Sequence, residues 1–131
     1  MLGLHAAVAT LVEQEPVKKF TLARLITENL STPLFVAVAT EPTIEYINPA
    51  MRDMTQYDEA EAYQTDWIKL FDEQSGARVR RAVRTVLERD ERRQLIVTMV
   101  KKDRSVIELT LQVRLVRQNG SNYLLFEVIK T

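Results

Sequence analysis

The chain has 131 residues, 46% of them hydrophobic, which is typical of one globular domain with a single core. Its 18 basic residues balance its 18 acidic residues, so no net field attracts nucleic acid or an anionic membrane. Because the sequence contains no cysteine, disulfides, thiol nucleophiles, iron–sulfur clusters and the usual structural zinc sites are excluded. Such a sequence suits a reducing cytoplasm.

The N-terminal region carries an apolar stripe at helical spacing. Its members are Leu4, Ala7, Val8, Leu11 and Val12. No basic residue precedes Lys18, so the charged start of a signal peptide is missing, and no apolar run approaches the ~20 residues of a membrane span. We therefore expect an amphipathic helical extension over residues 1–20 of a soluble, cytoplasmic protein that has no membrane partner.

A second amphipathic segment follows from Thr21 and is also expected to be helical. Its apolar positions are Leu22, Leu25, Ile26 and Leu30. Polar residues and Pro33 end this segment. The continuous apolar run over residues 34–39 then predicts a strand that is buried on both faces.

Residues 44–57 combine a strand, a helix cap and a short helix. Alternation along the strand places Ile44 and Tyr46 on one face of the sheet. Asn48 is a good N-cap because its side-chain oxygen accepts an orphan backbone N–H, and Pro49 suits the first helical position because its φ is already helical. The pair Asn48-Pro49 is therefore predicted to be a structural motif that starts the helix.

Two further helical regions follow. Residues 58–71 are compatible with helix in pieces, and residues 73–90 predict the longest helix after the N-terminal region. The inner stripe expected for this long helix consists of Val79, Val83, Val86 and Leu87.

The last third of the sequence is predicted to be β. Residues 95–100 form one strand and residues 102–105 a turn, after which residues 107–115 alternate apolar and polar side chains as in a half-buried antiparallel strand. Asn119-Gly120 is the strongest hairpin signal, because a type I′ turn needs positive φ at both central residues. A final strand is expected over residues 123–129.

The predicted order is helix, two strands, several helices and three strands. It indicates an α+β fold with a five-stranded antiparallel sheet and helices on one face. This order, together with the turn from Tyr46 through Asn48-Pro49-Ala50, resembles the PAS domain family over residues 21–131, with residues 1–20 as a preceding helical extension. The sequence departs from the family pattern at two turns, where Gln56 and Arg104 stand at positions that often carry glycine.

The resemblance also bears on cofactors. Haem-binding PAS domains hold iron through a histidine in the core, whereas the single histidine of this chain is His5. Light-sensing relatives form a flavin adduct through a cysteine, and this sequence has none. We therefore expect a PAS domain of the non-LOV, non-haem type without metal or cofactor, which leaves open a flavin or other small molecule bound non-covalently.

The resemblance implies a non-enzymatic sensory and protein-interaction module, the regulatory domain of a signal-transduction protein. It would form a homodimer through its N-terminal stripe and act on an effector domain in the full-length protein. Seven arginines lie between Arg78 and Arg93, but acidic residues are interspersed and no aromatic residues accompany them. They favour a solvated helix face over a nucleic-acid partner.

Two alternatives belong to other functional classes. The first is a small-molecule or flavin receptor with an occupied core cavity. Its lining would be Tyr46, Trp67, Val83, Leu87, Met99, Leu111 and Phe126. The second is an α+β enzyme that uses buried carboxylates, but the carboxylate pairs Glu59/Glu61 and Asp72/Glu73 fit exposed helix starts, so no catalytic residue is predicted.

Overall fold

The computed structural model describes residues 30–63, 65–118 and 120–131. The predicted N-terminal helix, with its stripe from Leu4 to Val12, lies outside the described residues, and so does His5. The predictions for that region are therefore not tested by the structure.

The described residues form an open five-stranded antiparallel sheet with helices, as the sequence predicts. The strands are β1 (Leu34–Val38), β2 (Ile44–Ile47), β3 (Arg93–Val100), β4 (Val106–Gln118) and β5 (Ser121–Lys130). The helices are α1 (Pro49–Thr55), α2 (Glu59–Tyr63), a short 3₁₀ helix (Trp67–Leu70) and α3 (Glu73–Arg89). The order of strands across the sheet is β2-β1-β5-β4-β3, so β2 and β3 are the edge strands and β5, the last strand in the chain, lies at the centre between β1 and β4.

The helices cover one face of the sheet, here called the inner face. In α3 the side chains of Val79, Val83 and Val86 are buried against it, as three- and four-residue spacing requires. Leu87 is 38% exposed, so its predicted place in this inner stripe is wrong. One residue further along a helix is a rotation of about 100°, which carries Leu87 past the edge of the buried stripe.

The opposite, outer face of the sheet carries a second buried group of side chains, here called the outer cluster. It consists of Leu34, Val36, Tyr46, Val116 and Leu125. Strand β1 thus contributes to both clusters, because Phe35 and Ala37 face inward, and the prediction that this strand is buried on both faces is confirmed.

A β-bulge in β2 decides which face Tyr46 occupies. Val36 pairs with Tyr46, but its neighbour Ala37 pairs with Ile44, so one extra residue is accommodated in β2. Ile44 and Ile47 consequently face inward while Tyr46 faces outward. The prediction from simple alternation, which put Ile44 and Tyr46 on the same face, is wrong for this physical reason.

Three of the described non-glycine residues adopt left-handed backbone conformations. Asp90 ends α3 with φ 54°, and the other two lie at turns. Gln56 ends α1 with φ 70°, and Arg104 lies in the β3–β4 turn with φ 77°. These are the two positions at which the sequence lacks the glycine common in the PAS pattern. The backbone therefore keeps a conformation that disfavours a Cβ, and other contacts must hold it there.

Asn48 joins three parts of the chain through its buried side chain. Its Oδ1 accepts hydrogen bonds from the backbone N–H groups of Met51 and Leu34, both at 3.0 Å. Its Nδ2 donates to the carbonyl oxygen of Thr32 at 2.9 Å. The predicted cap of α1 is confirmed, and the same amide also ties β1 and the residues before it to the helix start.

Replacing Asn48 with alanine should lower the free energy of unfolding by about 1.5–5 kcal/mol. Losing a cap costs about 0.5–2 kcal/mol, and leaving the buried Leu34 N–H without this acceptor adds roughly 1–3 kcal/mol. Asp72→Ala is the matched control, since the Asp72 side chain caps α3 by accepting from Ser75 N–H at 2.7 Å and makes no hydrogen bond to a strand. Urea denaturation of both variants measures the difference. Equal losses would show that Asn48 acts as a helix cap alone.

Candidate functional site

The space between the inner sheet face and the helices is the candidate ligand site that the sequence indicates. The structure brings five of the seven predicted lining residues into one buried cluster, namely Trp67, Val83, Met99, Leu111 and Phe126. Tyr46 and Leu87 do not join them, because Tyr46 belongs to the outer cluster and Leu87 is exposed. Tyr46 and Leu87 therefore do not belong to the lining of the inner core, while occupancy of that core by a ligand stays a prediction.

Aromatic rings pack at the centre of this inner core. The rings of Phe35 and Phe126 stack with centroids 4.3 Å apart, and the Trp67 ring lies 5.2 Å from that of Phe126. Both phenylalanines are fully buried and Trp67 is 7% exposed. Sequence reasoning missed Phe35, although its place in the apolar run of β1, facing the same way as Ala37, was the available signal.

Backbone contacts hold Trp67 in place above the sheet. The Trp67 N–H donates to the carbonyl oxygen of Pro42 at 2.9 Å, and Thr43 forms an isolated β-bridge with Asp66. The 3₁₀ helix is therefore fastened to the start of β2. The indole is in this way positioned by main-chain hydrogen bonds and not by side-chain packing alone.

The start of α3 is fastened to β3 in a similar way. Asp72 N–H donates to the carbonyl oxygen of Thr98 at 3.1 Å, and Thr98 N–H donates to Ser75 Oγ at 2.8 Å. Next to Ser75, a Cβ added to Gly76 would lie 3.2 Å from Ile68 Cδ1. The absence of a side chain at Gly76 thus allows α3 to approach the 3₁₀ helix closely, which closes this side of the core.

A polar clamp joins the α1–α2 region to the β3–β4 turn. The Lys102 N–H donates to the carbonyl oxygen of Thr55 at 2.9 Å. The Gln56 amide donates to Asp103 Oδ2 at 3.2 Å and accepts from Asp103 N–H at 3.1 Å. Lys102 also forms an ion pair with Glu61. These contacts link residues about fifty positions apart, and they hold the left-handed backbone at Gln56.

The clamp shifts the pKa values of its charged groups. The hydrogen bond from Lys102, and then that from Asp58 N–H, hold the pKa of Glu61 below its ordinary value of 4.5. The bond to Glu61 correspondingly raises the pKa of Lys102. The hydroxyl and N–H of Ser105 lower the pKa of Asp103. All of these groups lie at the surface, where solvent screens such pairs, so they orient the turn more than they stabilise the fold.

Replacing Lys102 with methionine should raise the pKa of Glu61 towards its ordinary value of 4.5. A carboxyl group whose pKa is lowered by folding stabilises the fold above its unfolded pKa, and this contribution is lost as the pH falls through the folded pKa. As the pH falls below 4.5, the variant should therefore lose less stability than the parent. NMR titration of the Glu61 carboxyl measures the shift. Lys69→Met removes an exposed lysine of the 3₁₀ helix as control, and an equal shift in that variant would contradict the assignment.

Three of the four carboxylates that the sequence analysis considered for catalysis have structural partners. Glu59 forms an ion pair with Arg52 at 3.3 Å, Glu61 binds Lys102, and Asp72 caps α3. Glu59 and Arg52 line an open surface depression of about 410 Å3 at the α1–α2 junction. Within residues 30–63, 65–118 and 120–131, no group of three or more histidine, aspartate or glutamate side chains is arranged to hold a metal ion.

The arginines of α3 are exposed on the side of the helix that faces away from the sheet. They are Arg78, Arg80, Arg81, Arg84 and Arg89. Across the described ranges, no helix combines the length and the apolar character needed to cross a bilayer.

The family profile described as the PAS fold matches residues 27–128. This chain belongs to the PAS fold family. The resemblance seen in the sequence is thereby confirmed, whereas the non-LOV qualifier stays a prediction. Among curated proteins, none matches the chain.

Solved structures share the PAS topology. A PAS domain from a two-component sensor histidine kinase superposes with a TM-score of 0.70 at 10% identity, covering 86% of this chain and 96% of that one. The PAS domain of an HTR-like protein from Haloarcula marismortui gives 0.68 at 19% identity, covering 85% and 90%. A light-oxygen-voltage domain studied with a flavin analogue gives 0.69 at 19% identity, covering 88% of each chain. At such identities the likeness shows the fold alone.

Proposed function

We propose that this PAS domain is a non-enzymatic sensory and protein-interaction module, the regulatory part of a cytoplasmic signal-transduction protein that also carries an effector domain. The observation that carries the proposal is the PAS fold family match over residues 27–128. PAS domains are generally sensory, non-catalytic modules, and one structural neighbour comes from a sensor histidine kinase. The structural partners of Glu59, Glu61 and Asp72 support a role without catalysis.

The packing of the inner core supports protein interaction over small-molecule reception. Phe35, Trp67 and Phe126 are in ring contact at the centre of the space where a ligand would lie. A molecule bound between these rings would have to separate them, and close-packed cores resist such separation. The small-molecule or flavin receptor remains the second candidate, because Trp67 and Phe126 offer aromatic faces and a neighbouring light-oxygen-voltage domain was studied with a flavin analogue.

The freshly purified protein should show neither a Soret band nor a flavin absorption band, and its native mass spectrum should show the polypeptide without a bound molecule. The reason is that the aromatic contacts of Trp67 and Phe126 occupy the inner core. Trp67 is the single tryptophan, so its fluorescence reports directly on this core. Added flavin should leave that fluorescence unchanged after correction for absorption. Stoichiometric flavin in the mass spectrum would favour the small-molecule or flavin receptor over the protein-interaction module. Bound haem or metal would contradict both candidates.

We also propose that the protein forms a homodimer through its N-terminal stripe. The stripe runs from Leu4 to Val12, and a contiguous apolar surface of this kind is rarely left in water by a monomer. A two-fold pair is the commonest oligomer, and two copies that align their stripes would bury this surface. Association costs several kcal/mol, so the expected dimer is modest in affinity.

Val8→Asp combined with Leu11→Asp should convert the dimer into a folded monomer, because two charges from each chain would be buried between the stripes. Ala6→Asp with Ala9→Asp is the matched control, since helical spacing puts these two positions on the other side and the dimer should persist. Removing residues 1–15 should likewise leave a monomer. Light scattering at tens of micromolar protein measures all four forms. A monomeric parent, or a shortened form that still dimerises, would refute the proposal.

A further inference from the structure

Helix α3 carries positive charge that its surroundings do not neutralise. Residues 77–87 contain four arginines and no acidic residue. No ion pair between residues that the structure describes involves Arg80, Arg81 or Arg84. Glu88 follows Arg84 by four residues, a spacing that allows an ion pair on a helix, and yet the two side chains form none. The guanidinium groups of these three arginines are therefore available to a partner.

Two of these arginines share one flank of α3 with an exposed leucine. At about 100° per residue, Arg80, Arg84 and Leu87 lie within a sector of about 60°, and their spacings along the helix axis are about 6 Å and 4.5 Å. Both arginines are exposed, and Leu87 is 38% exposed. Among the described helices, Leu87 is the one large hydrophobic residue that is exposed. These three residues are here called the α3 stripe.

The chemistry of the α3 stripe fits the carboxylates of a protein. Helix α3 contains five arginines and no lysine. A planar guanidinium group binds a carboxylate through two parallel hydrogen bonds, and arginine is enriched at protein interfaces whereas lysine is depleted there. An apolar side chain beside such ion pairs provides the dehydrated centre on which binding energy depends. Leu87 is placed to provide it.

Nucleic acids and membranes fit the α3 stripe less well than a protein does. The basic run extends over about 15 Å of helix. Acidic residues bound it, with Glu73 before the run and Glu88, Asp90 and Glu91 after it. The phosphates of a nucleic acid continue past both ends and would meet these carboxylates. A bilayer takes up the apolar face of an amphipathic helix, but in α3 that face is buried against the sheet. These observations favour a partner of limited length.

We propose that the α3 stripe is a docking surface for an acidic α-helix of a partner protein. That helix presents two carboxylates one turn apart to Arg80 and Arg84, and an apolar side chain within the next turn to Leu87. Side chains four residues apart on a helix have the same spacing of about 6 Å as the two arginines, so both ion pairs form without bending either helix. This proposal rests on the proposed function, because it names the surface on which a protein-interaction module binds its partner.

NMR titration of the full chain with a designed peptide tests this surface. The peptide has about 20 residues, because shorter helices barely form in water, and it repeats glutamate at positions i and i+4 with leucine at i+7 along one face. It should shift the backbone amide signals of residues 80–87 with a dissociation constant on the order of 100 μM, because the contact is small and exposed. A control peptide with glutamine in place of glutamate should bind at least about 10-fold more weakly. The two peptides thus test the unmodified protein.

Charge reversal on the two flanks of α3 separates a docking surface from general attraction. Arg80→Glu combined with Arg84→Glu should weaken binding of the glutamate peptide by about 10-fold or more, since two ion pairs become two repulsions. Arg78→Glu combined with Arg89→Glu is the matched control. It has the same net charge, but its exposed positions lie about 160–180° around the helix from Arg80, so binding should change by less than about 3-fold. Leu87→Ala, which leaves the charge unchanged, should weaken binding by about 3-fold.

Three outcomes would overturn the proposal. The first is the absence of any shift in residues 80–87 at peptide concentrations up to about 1 mM. The second is equal weakening by the two charge-reversal variants, which would show attraction to net charge alone. The third is tighter binding of a short DNA duplex or of phosphatidylserine vesicles, lost in the variant with Arg80→Glu, which would assign the surface to that class of partner.

Two measurements on the same samples keep these outcomes distinct. The fluorescence of Trp67 should match that of the parent in every variant, because the substituted side chains lie at the surface and Trp67 lies in the inner core. The absorption and mass spectra judge the proposed function separately. A protein free of flavin and haem whose α3 stripe binds no peptide would refute the docking surface and leave the proposed function standing.

Discussion

A buried amide at the junction of strand and helix organises this PAS domain. The side chain of Asn48 binds the backbone of β1, the first turn of α1 and the residues that enter β1. Because these three segments meet at one amide, the direction in which α1 leaves the sheet depends on its hydrogen bonds. All later helices of the inner layer follow α1 in the chain. The geometry of that layer therefore begins at a single satisfied polar group inside an apolar core.

The sheet must satisfy different requirements on its two faces. The inner face meets helices of the same domain, and aromatic stacking between Phe35 and Phe126 fills the centre of that layer. The outer face mixes apolar side chains with the buried Glu127 and Gln112, a composition that neither solvent nor hydrocarbon suits. Strand β5, at the middle of the sheet, shows this asymmetry, since it is apolar from Tyr123 to Ile129 except at Glu127.

Local signals in the sequence predicted most of the fold, and non-local packing decided what they missed. The Asn48 cap, the turn at Gly120 with φ 81° and the alternation along β4 each depend on a few neighbouring residues. The face of Tyr46 depends on a bulge that becomes visible only through pairing with β1. Gln56 finds Asp103 across 47 residues, a partnership that no local pattern contains. The site prediction failed at Tyr46 and Leu87 for the same reason. In both cases the error concerns the direction in which the side chain points and not the type of residue.

Strand β5 provides a physical route between the two faces. Phe126 on its inner side contacts Trp67, and its neighbours Leu125 and Glu127 project to the outer side. Because β5 pairs with β1 on one side and with β4 on the other, a backbone shift at Phe126 would also move the neighbouring Leu125 and Glu127. Both of these outward-facing residues are buried. A change in the inner core that moves the backbone of β5 would therefore reach the outer face of the sheet through this one strand.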